Sequence, residues 1–311
     1  MKLPSPLRPG NKVAIVATAR KIGQPEIQCC IDTLTSWKLE VVIGNTIGAE
    51  DYQFAGEDDF RTTDLQRMLD DETVRAIIFA RGGYGTLRII DAIDWRRFLK
   101  QPKWLCGFSD ITVIHSHLLS VYDLPSVHSV MGISFPSATA ESLTSLQAAL
   151  FGKRIHYSVQ PNTLNRAGKS EGILCGGNLS LLYALNGSPS DIDTAGKILF
   201  IEDIDEQLYH IDRMMISLKR AGKLEPLAGL MVGHFSDMKN KDEMNPFGKS
   251  ACEIISAHVA EYDYPVCYGF PAGHEPNNRA LVIGGSYELE VGDEVMVKKI
   301  EATPATKPVI R

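Results

Sequence analysis

The 311-residue sequence predicts an α/β fold in two parts: a doubly wound parallel-sheet domain over 1–155 and a smaller α+β domain over 170–311. Three observations predict it. Apolar, strand-like runs alternate with segments of helical spacing through the first half, as βαβ units require. A looser region, from residue 134 through the turn-rich 161–169 (PNTLNRAGK), then interrupts the alternation. Beyond it, short strands, helices and one hairpin are mixed. At roughly 150 residues per domain, the length also suits about two domains.

The elements follow in order. Residues 12–19 (KVAIVATA) read as a first strand entered from the Pro9-Gly10-Asn11 turn, 24–37 as a helix and 39–43 as a strand. Residues 58–69 carry the pattern of a charged amphipathic helix. The run at 75–80 (RAIIFA) is continuously apolar, as expected of a strand covered on both faces. Helical spacing returns at 87–93, a short strand at 104–107, and a helix at 111–121. Right-handed crossovers then place the strands parallel. In the second half, 171–174, 198–202, 229–233 and 281–283 read as short strands, with helices near 178–185, 211–221 and 250–259. Residues 289–291 and 294–299 form a closing hairpin across Gly292-Asp293.

Composition narrows the function classes. The chain is 44% hydrophobic and 23% charged, with 32 basic against 38 acidic residues and a net charge of −6. No basic block offers a phosphate-backbone surface, and an acidic chain gains nothing from an anionic membrane. No apolar stretch approaches the roughly 18 residues of a spanning helix. The apolar 13–19 follows a long segment containing Pro4, Pro6 and Pro9, unlike a signal peptide's compact basic start, so a cytoplasmic protein is expected. Six cysteines contain no C-x-x-C pair and read as reduced thiols rather than as metal ligands or disulfides.

Ligands of open α/β sheets collect at the carboxyl ends of strands, and two such ends are unusual here. Arg81-Gly82-Gly83-Tyr84-Gly85 follows the RAIIFA strand; Gly107-Phe108-Ser109-Asp110 follows 104–107. A glycine-rich strand-to-helix turn can cradle a phosphate, supply an oxyanion hole, or simply turn the chain. The GFSD segment resembles a nucleophile elbow lacking its second glycine, or a serine capping a helix. A serine nucleophile needs a base, and the base an orienting acid. His115 and His117 lie along a helix and read as structural. His128 follows Pro125 in a strand or turn that could lie near the site. His156, His210, His234 and His258 sit in no pattern. His274 lies in the turn-rich GFPAGHEPNNR of 269–279, a loop with no apolar reason to hold it. The strand 198–203 (ILFIED) ends in two carboxylates, placed either to hold an imidazole or, with Asp205 and Glu206, to cap the next helix.

Together, RGGYG, GFSD, IEDIDEQLYHIDRMM and GHEPNNRALVIGG resemble, in order and spacing, the serial motifs of the LD-carboxypeptidase family of serine peptidases, which includes the microcin-immunity hydrolases. The resemblance implies a Ser109–Glu202–His274 triad. It also implies an oxyanion hole from the backbone N–H groups of Asp110 and Gly83, and a flavodoxin-like first domain. It requires no metal or organic cofactor. A murein tetrapeptide, losing its terminal D-alanine in cytoplasmic cell-wall recycling, is the implied substrate, and a homodimer the implied assembly. With Ser109 on one domain and Glu202 and His274 on the other, the His274 loop is expected to close on bound substrate.

A carboxypeptidase must hold the terminal carboxylate; Arg81, Arg88 and Arg279 are candidates that the sequence does not separate. Three other readings compete. A microcin-immunity-type hydrolase of aminoacyl-nucleotides calls for an aromatic slot, and no aromatic cluster stands out in a chain that is 8% Phe, Trp and Tyr. A non-catalytic binding module would hold an anion on the RGGYG turn. A nicotinamide dehydrogenase lacks its G-x-G-x-x-G fingerprint.

Overall fold

The computed structural model describes residues 3–242 and 244–300; the last eleven residues assigned above to the second domain lie outside the described ones. In chain order the elements are β1 (Lys12–Val16), α1 (Gln28–Ser36), β2 (Glu40–Ile43), α2 (Asp58–Asp70), β3 (Val74–Phe79), α3 (Thr86–Ile89), α4 (Arg96–Lys100), β4 (Trp104–Gly107), α5 (Thr112–Tyr122), β5 (Ser126–His128) and α6 (Ala140–Leu150). They continue with β6 (His156–Val159), β7 (Gly168–Asn178), α7 (Leu179–Leu185), β8 (Ile198–Ile204), α8 (Leu208–Arg220), β9 (Gly229–Ser236), α9 (Ala251–Val259), β10 (Val266–Tyr268), β11 (Leu281–Ile283), β12 (Ser286–Val291) and β13 (Val295–Lys299). Among the described residues no helix is long and apolar enough to cross a membrane, and all six cysteines are unpaired.

The first sheet has the order β11-β5-β4-β3-β1-β2. Its five strands from the first half are parallel, and β11 joins antiparallel beside β5. The order 2-1-3-4-5 is the flavodoxin-like one, in which the order of strand addition reverses between β1 and β3 and leaves a crevice at their carboxyl ends. β1 is apolar on both faces because both are covered: Val13 and Ile15 join one core cluster, Ala14 and Val16 the other. The first of these clusters runs on into the second half, so the two parts share packed apolar surface.

The second sheet has the order β10-β9-β8-β7-β12-β13-β6. β7 to β10 are parallel, whereas β12, β13 and β6 are antiparallel. The expected hairpin across Gly292-Asp293 is β12–β13. Two features depart from the sequence reading. The region read as loose holds α6, whose Thr139 caps the helix by accepting from the Ser142 N–H, and it holds β6 as well. β11, read with the second half, pairs into the first sheet.

The carboxyl ends of the parallel strands in the two sheets meet at one seam. Thr112, the first residue of α5, accepts the Asn178 N–H on its Oγ1 at 2.9 Å. Gly177 makes this approach possible: its φ is +147°, and a Cβ there would lie 2.5 Å from Thr112 Oγ1. Asn178 Nδ2 in turn donates to Asp203 Oδ1 at 2.9 Å, so the end of β7 is tied to the end of β8.

Thr112→Val keeps the shape but leaves the Asn178 N–H buried without an acceptor, which should cost about 1–3 kcal/mol. Thr112→Ser keeps the hydroxyl and should lose no more than about 1 kcal/mol for its methyl. Urea unfolding of both variants reads the difference; equal stability would mean that the seam does not depend on this bond.

Candidate active site

β4 ends at Gly107 and the chain turns sharply. Phe108 is extended and Ser109 adopts φ +61°, a left-handed conformation that costs a non-glycine residue on the order of 1–3 kcal/mol. Such a strained strand-to-helix turn lifts a serine hydroxyl above the sheet. Ser109 Oγ makes no hydrogen bond among the described residues, so it does not act as a cap. In this chemistry the serine–histidine bond often tightens only with substrate. The neighbouring Asp110 is buried, and its Oδ2 accepts the Thr86 N–H at 2.8 Å, which ties the GFSD turn to the RGGYG turn. Burial, outweighing that bond, pushes the Asp110 carboxyl above its ordinary range.

The RGGYG turn is held from below by a residue outside every motif. Arg61 of α2 is fully buried and donates to the carbonyls of Gly85 (3.0 Å), Gly56 (3.1 Å) and Thr18, with Asp58 as its ion-pair partner. Its spacing from Leu65 and Met68, four and seven residues on, places it on the apolar face of α2 and was the available signal. The turn reaches the serine: a Cβ on Gly82 would lie 3.2 Å from Ser109 Cβ. Gly83, at φ +112°, lies under the Arg20 side chain, whose Cδ would be 2.7 Å from any Cβ there.

Glu202, near the end of β8, is fully buried, and its Oε2 accepts from His274 Nδ1 at 2.7 Å. That bond places the imidazole proton on Nδ1 and leaves Nε2 basic. Burial pulls the His274 pKa down, but the Glu202 charge and hydrogen bond, with Asp203 and Glu275 adding to them, outweigh it and raise it above 6.5. The Phe108 ring, one residue before Ser109, packs 4.8 Å from the His274 ring. Ser109, Gly83 and His274 line one cleft of about 820 Å³, with Glu202 behind the imidazole. The structure thus brings all three expected triad residues to one place.

Asp203, the second carboxylate of the strand end, accepts from Asn178 Nδ2 and from the Ser180 N–H, both at 2.9 Å. It therefore serves the start of α7, not α8 as a cap reading would have it. Burial first, and the Glu202 charge next, push it up to about 7. His128 does approach the site. Its buried Nε2 pairs with Asn278 Oδ1 at 3.2 Å, and the same oxygen accepts the Gly273 N–H at 3.1 Å. Burial holds His128 well below 6.5, so it is neutral and donates through Nε2. β5 thereby fixes the backbone one residue before His274.

Of the other histidines, His234 adjoins the site: its backbone N–H donates to the Ala272 carbonyl at 2.9 Å, and a Cβ on Gly273 would lie 3.2 Å from its Cβ. His115 bonds Ser126 Oγ and the Gly107 carbonyl, and His117 bonds Ser190 Oγ. His210 and His258 pair with Glu206 and Asp212. Of the three arginine candidates only Arg81 lines the cleft. Arg88 is paired with Asp58 at 2.7 Å, and Arg279 lies over the Tyr157 ring.

Comparison with known proteins identifies the family. The model of the LD-carboxypeptidase N-terminal domain matches residues 13–129, and that of the LD-carboxypeptidase C-terminal domain matches 171–289. Over 302 residues the chain is 32% identical to the probable murein peptide carboxypeptidase of Bacillus subtilis (strain 168), covering 94% of this chain and 93% of the relative. It resembles the crystal structure of muramoyltetrapeptide carboxypeptidase from Oxalobacter formigenes with a TM-score of 0.85 and 28% identity, over 94% of this chain and 99% of that one. The microcin C7 self-immunity protein MccF shares the fold, with a TM-score of 0.87 at 17% identity over 97% of this chain and 99% of its own. Two successive domain matches and a relative aligned along nearly the full length establish that the chain belongs to the LD-carboxypeptidase family of serine peptidases.

Proposed function

We propose that this enzyme releases the terminal D-alanine of murein tetrapeptide through a Ser109–Glu202–His274 triad. The observation that carries the reading is the 2.7 Å bond from His274 Nδ1 to the buried Glu202, opposite a strained and unbonded Ser109 in the same cleft. The relatives named for murein peptides support the substrate class. Ser109 Oγ attacks the scissile carbonyl while His274 Nε2 takes its proton, and Glu202 holds the tautomer and stabilises the imidazolium. The N–H groups of Gly83 and Asp110 receive the developing oxyanion. His274 then protonates the departing D-alanine amine and activates the water that cleaves the acyl-enzyme. The reading carries with it the cytoplasmic setting and paired subunits of the family, which sedimentation and cell fractionation can check.

The first experiment follows D-alanine release from murein tetrapeptide. Ser109→Ala should lose on the order of 10⁶ in kcat. Retained release would reject Ser109 as the nucleophile.

His274 must be neutral to act as base, and its pKa is raised, so activity should climb with pH through a value above 6.5. Glu202→Gln removes the charge that raises it. The acid limb of kcat/KM should then move to lower pH, and the rate should fall on the order of 10³–10⁴-fold with the tautomer lost. An unmoved limb would show that another group titrates.

Asn278→Ala frees the Gly273 N–H and His128 together, and should lower kcat about 10- to 100-fold by letting His274 drift. Unchanged kcat would mean that the loop is held by the Glu202 bond alone.

A further inference from the structure

A carboxypeptidase must receive its substrate's terminal carboxylate, and the cleft contains two arginines with no acidic partner among the described residues. Arg20 lines the cleft, and its guanidinium makes no hydrogen bond, ion pair or ring contact among the described residues. Arg81 lines it too, and its guanidinium has one long bond, 3.3 Å to the Lys21 carbonyl. The charged groups of the opposite wall are already engaged: Asp205 with Lys239, Glu206 with His210, Glu275 with Ser236, and Asp203 with Asn178 and Ser180. Each of these carboxylates thus has a hydrogen-bond or ion-pair partner, whereas the Arg20 guanidinium has none among the described residues.

Its position is also specific. Arg20 runs directly over Gly83, with Nε 2.9 Å from where a Cβ would stand. Gly83, with no side chain and φ +112°, leaves that path open. In a substrate cut before its last residue, three bonds separate the attacked carbonyl carbon from the terminal carboxylate carbon, a span of about 4 Å at most. A carbonyl oxygen held at the Gly83 N–H thus brings the terminal carboxylate within reach of a guanidinium lying across Gly83.

We infer that Arg20, with Arg81 beside it, forms the subsite for the substrate's C-terminal carboxylate and so restricts the enzyme to the last peptide bond. This rests on the carboxypeptidase reading above. Arg20 presents a planar fork that matches a carboxylate with two parallel N–H donors. Internal peptide bonds, which offer no anion there, leave the two guanidiniums unpaired and bind poorly.

The test compares kcat/KM for murein tetrapeptide and for the same peptide ending in D-alaninamide, on wild type, Arg20→Gln, Arg20→Lys and Arg81→Gln. Wild type should prefer the free acid by about 10- to 100-fold. Arg20→Gln should lose about that factor on the acid while its rate on the amide stays within about twofold, which also shows that the variant is folded. Arg20→Lys should recover part of the loss, since it keeps the charge without the fork. Arg81→Gln should show a smaller loss of the same kind. Parallel losses on acid and amide, or no loss on either, would overturn the subsite while leaving the carboxypeptidase reading intact. A selective loss in Arg81→Gln with none in Arg20→Gln would overturn the assignment to Arg20. Wild type that releases no D-alanine would overturn the parent reading and the subsite with it.

Discussion

The site depends on one seam, where Thr112 Oγ1 takes the Asn178 N–H across Gly177. Three residues before Thr112 stands Ser109, and Asn178 reaches on to Asp203, the neighbour of Glu202. Two buried hydrogen bonds in series therefore connect the turn that carries the hydroxyl to the strand end that carries the carboxylate. The glycine at 177 is what lets two backbones come that close. The two halves also share packed apolar surface and the β5–β11 pairing, and within that packing the Thr112–Asn178 bond sets how the two strand ends meet.

Around the seam, buried polar groups take on distinct protonation roles through their surroundings. Glu202 and Asp203 are consecutive and both buried, and burial with the neighbouring charge lifts Asp203 to about 7. His128 is kept neutral by burial and spends its proton on Asn278, whereas His274 is raised because a carboxylate faces its Nδ1. One histidine thus shapes the backbone and the other is poised to titrate. The strain at Ser109 is set against the Asp110–Thr86 bond and the Arg61 clamp, which fix both sides of the turn.

Much of this could be read from the residues because the chemistry lies in contiguous motifs. β4 ran over 104–107 as expected, β11 over 281–283, and GFSD and GHE marked the two turns. What escaped the reading was set by distant contacts. Arg61 belongs to the site only because its guanidinium reaches three carbonyls from different loops, and Arg20 only because Gly83 folds beneath it. α6 was hidden by a start rich in Ser and Thr, although Leu143, Leu146 and Leu150 keep helical spacing. β11 was found as a strand, but which sheet it joins is decided by pairing with β5, which no local pattern encodes.

The account's central claim is that Ser109 is a nucleophile activated by a Glu202-held His274. Labelling by a fluorophosphonate, followed by intact-mass and peptide mapping, tests it most directly. The account predicts one adduct per chain, on Ser109, formed at a rate that collapses in His274→Ala and falls in Glu202→Gln. An adduct on another residue, or none on an enzyme that still cleaves its peptide, would contradict it.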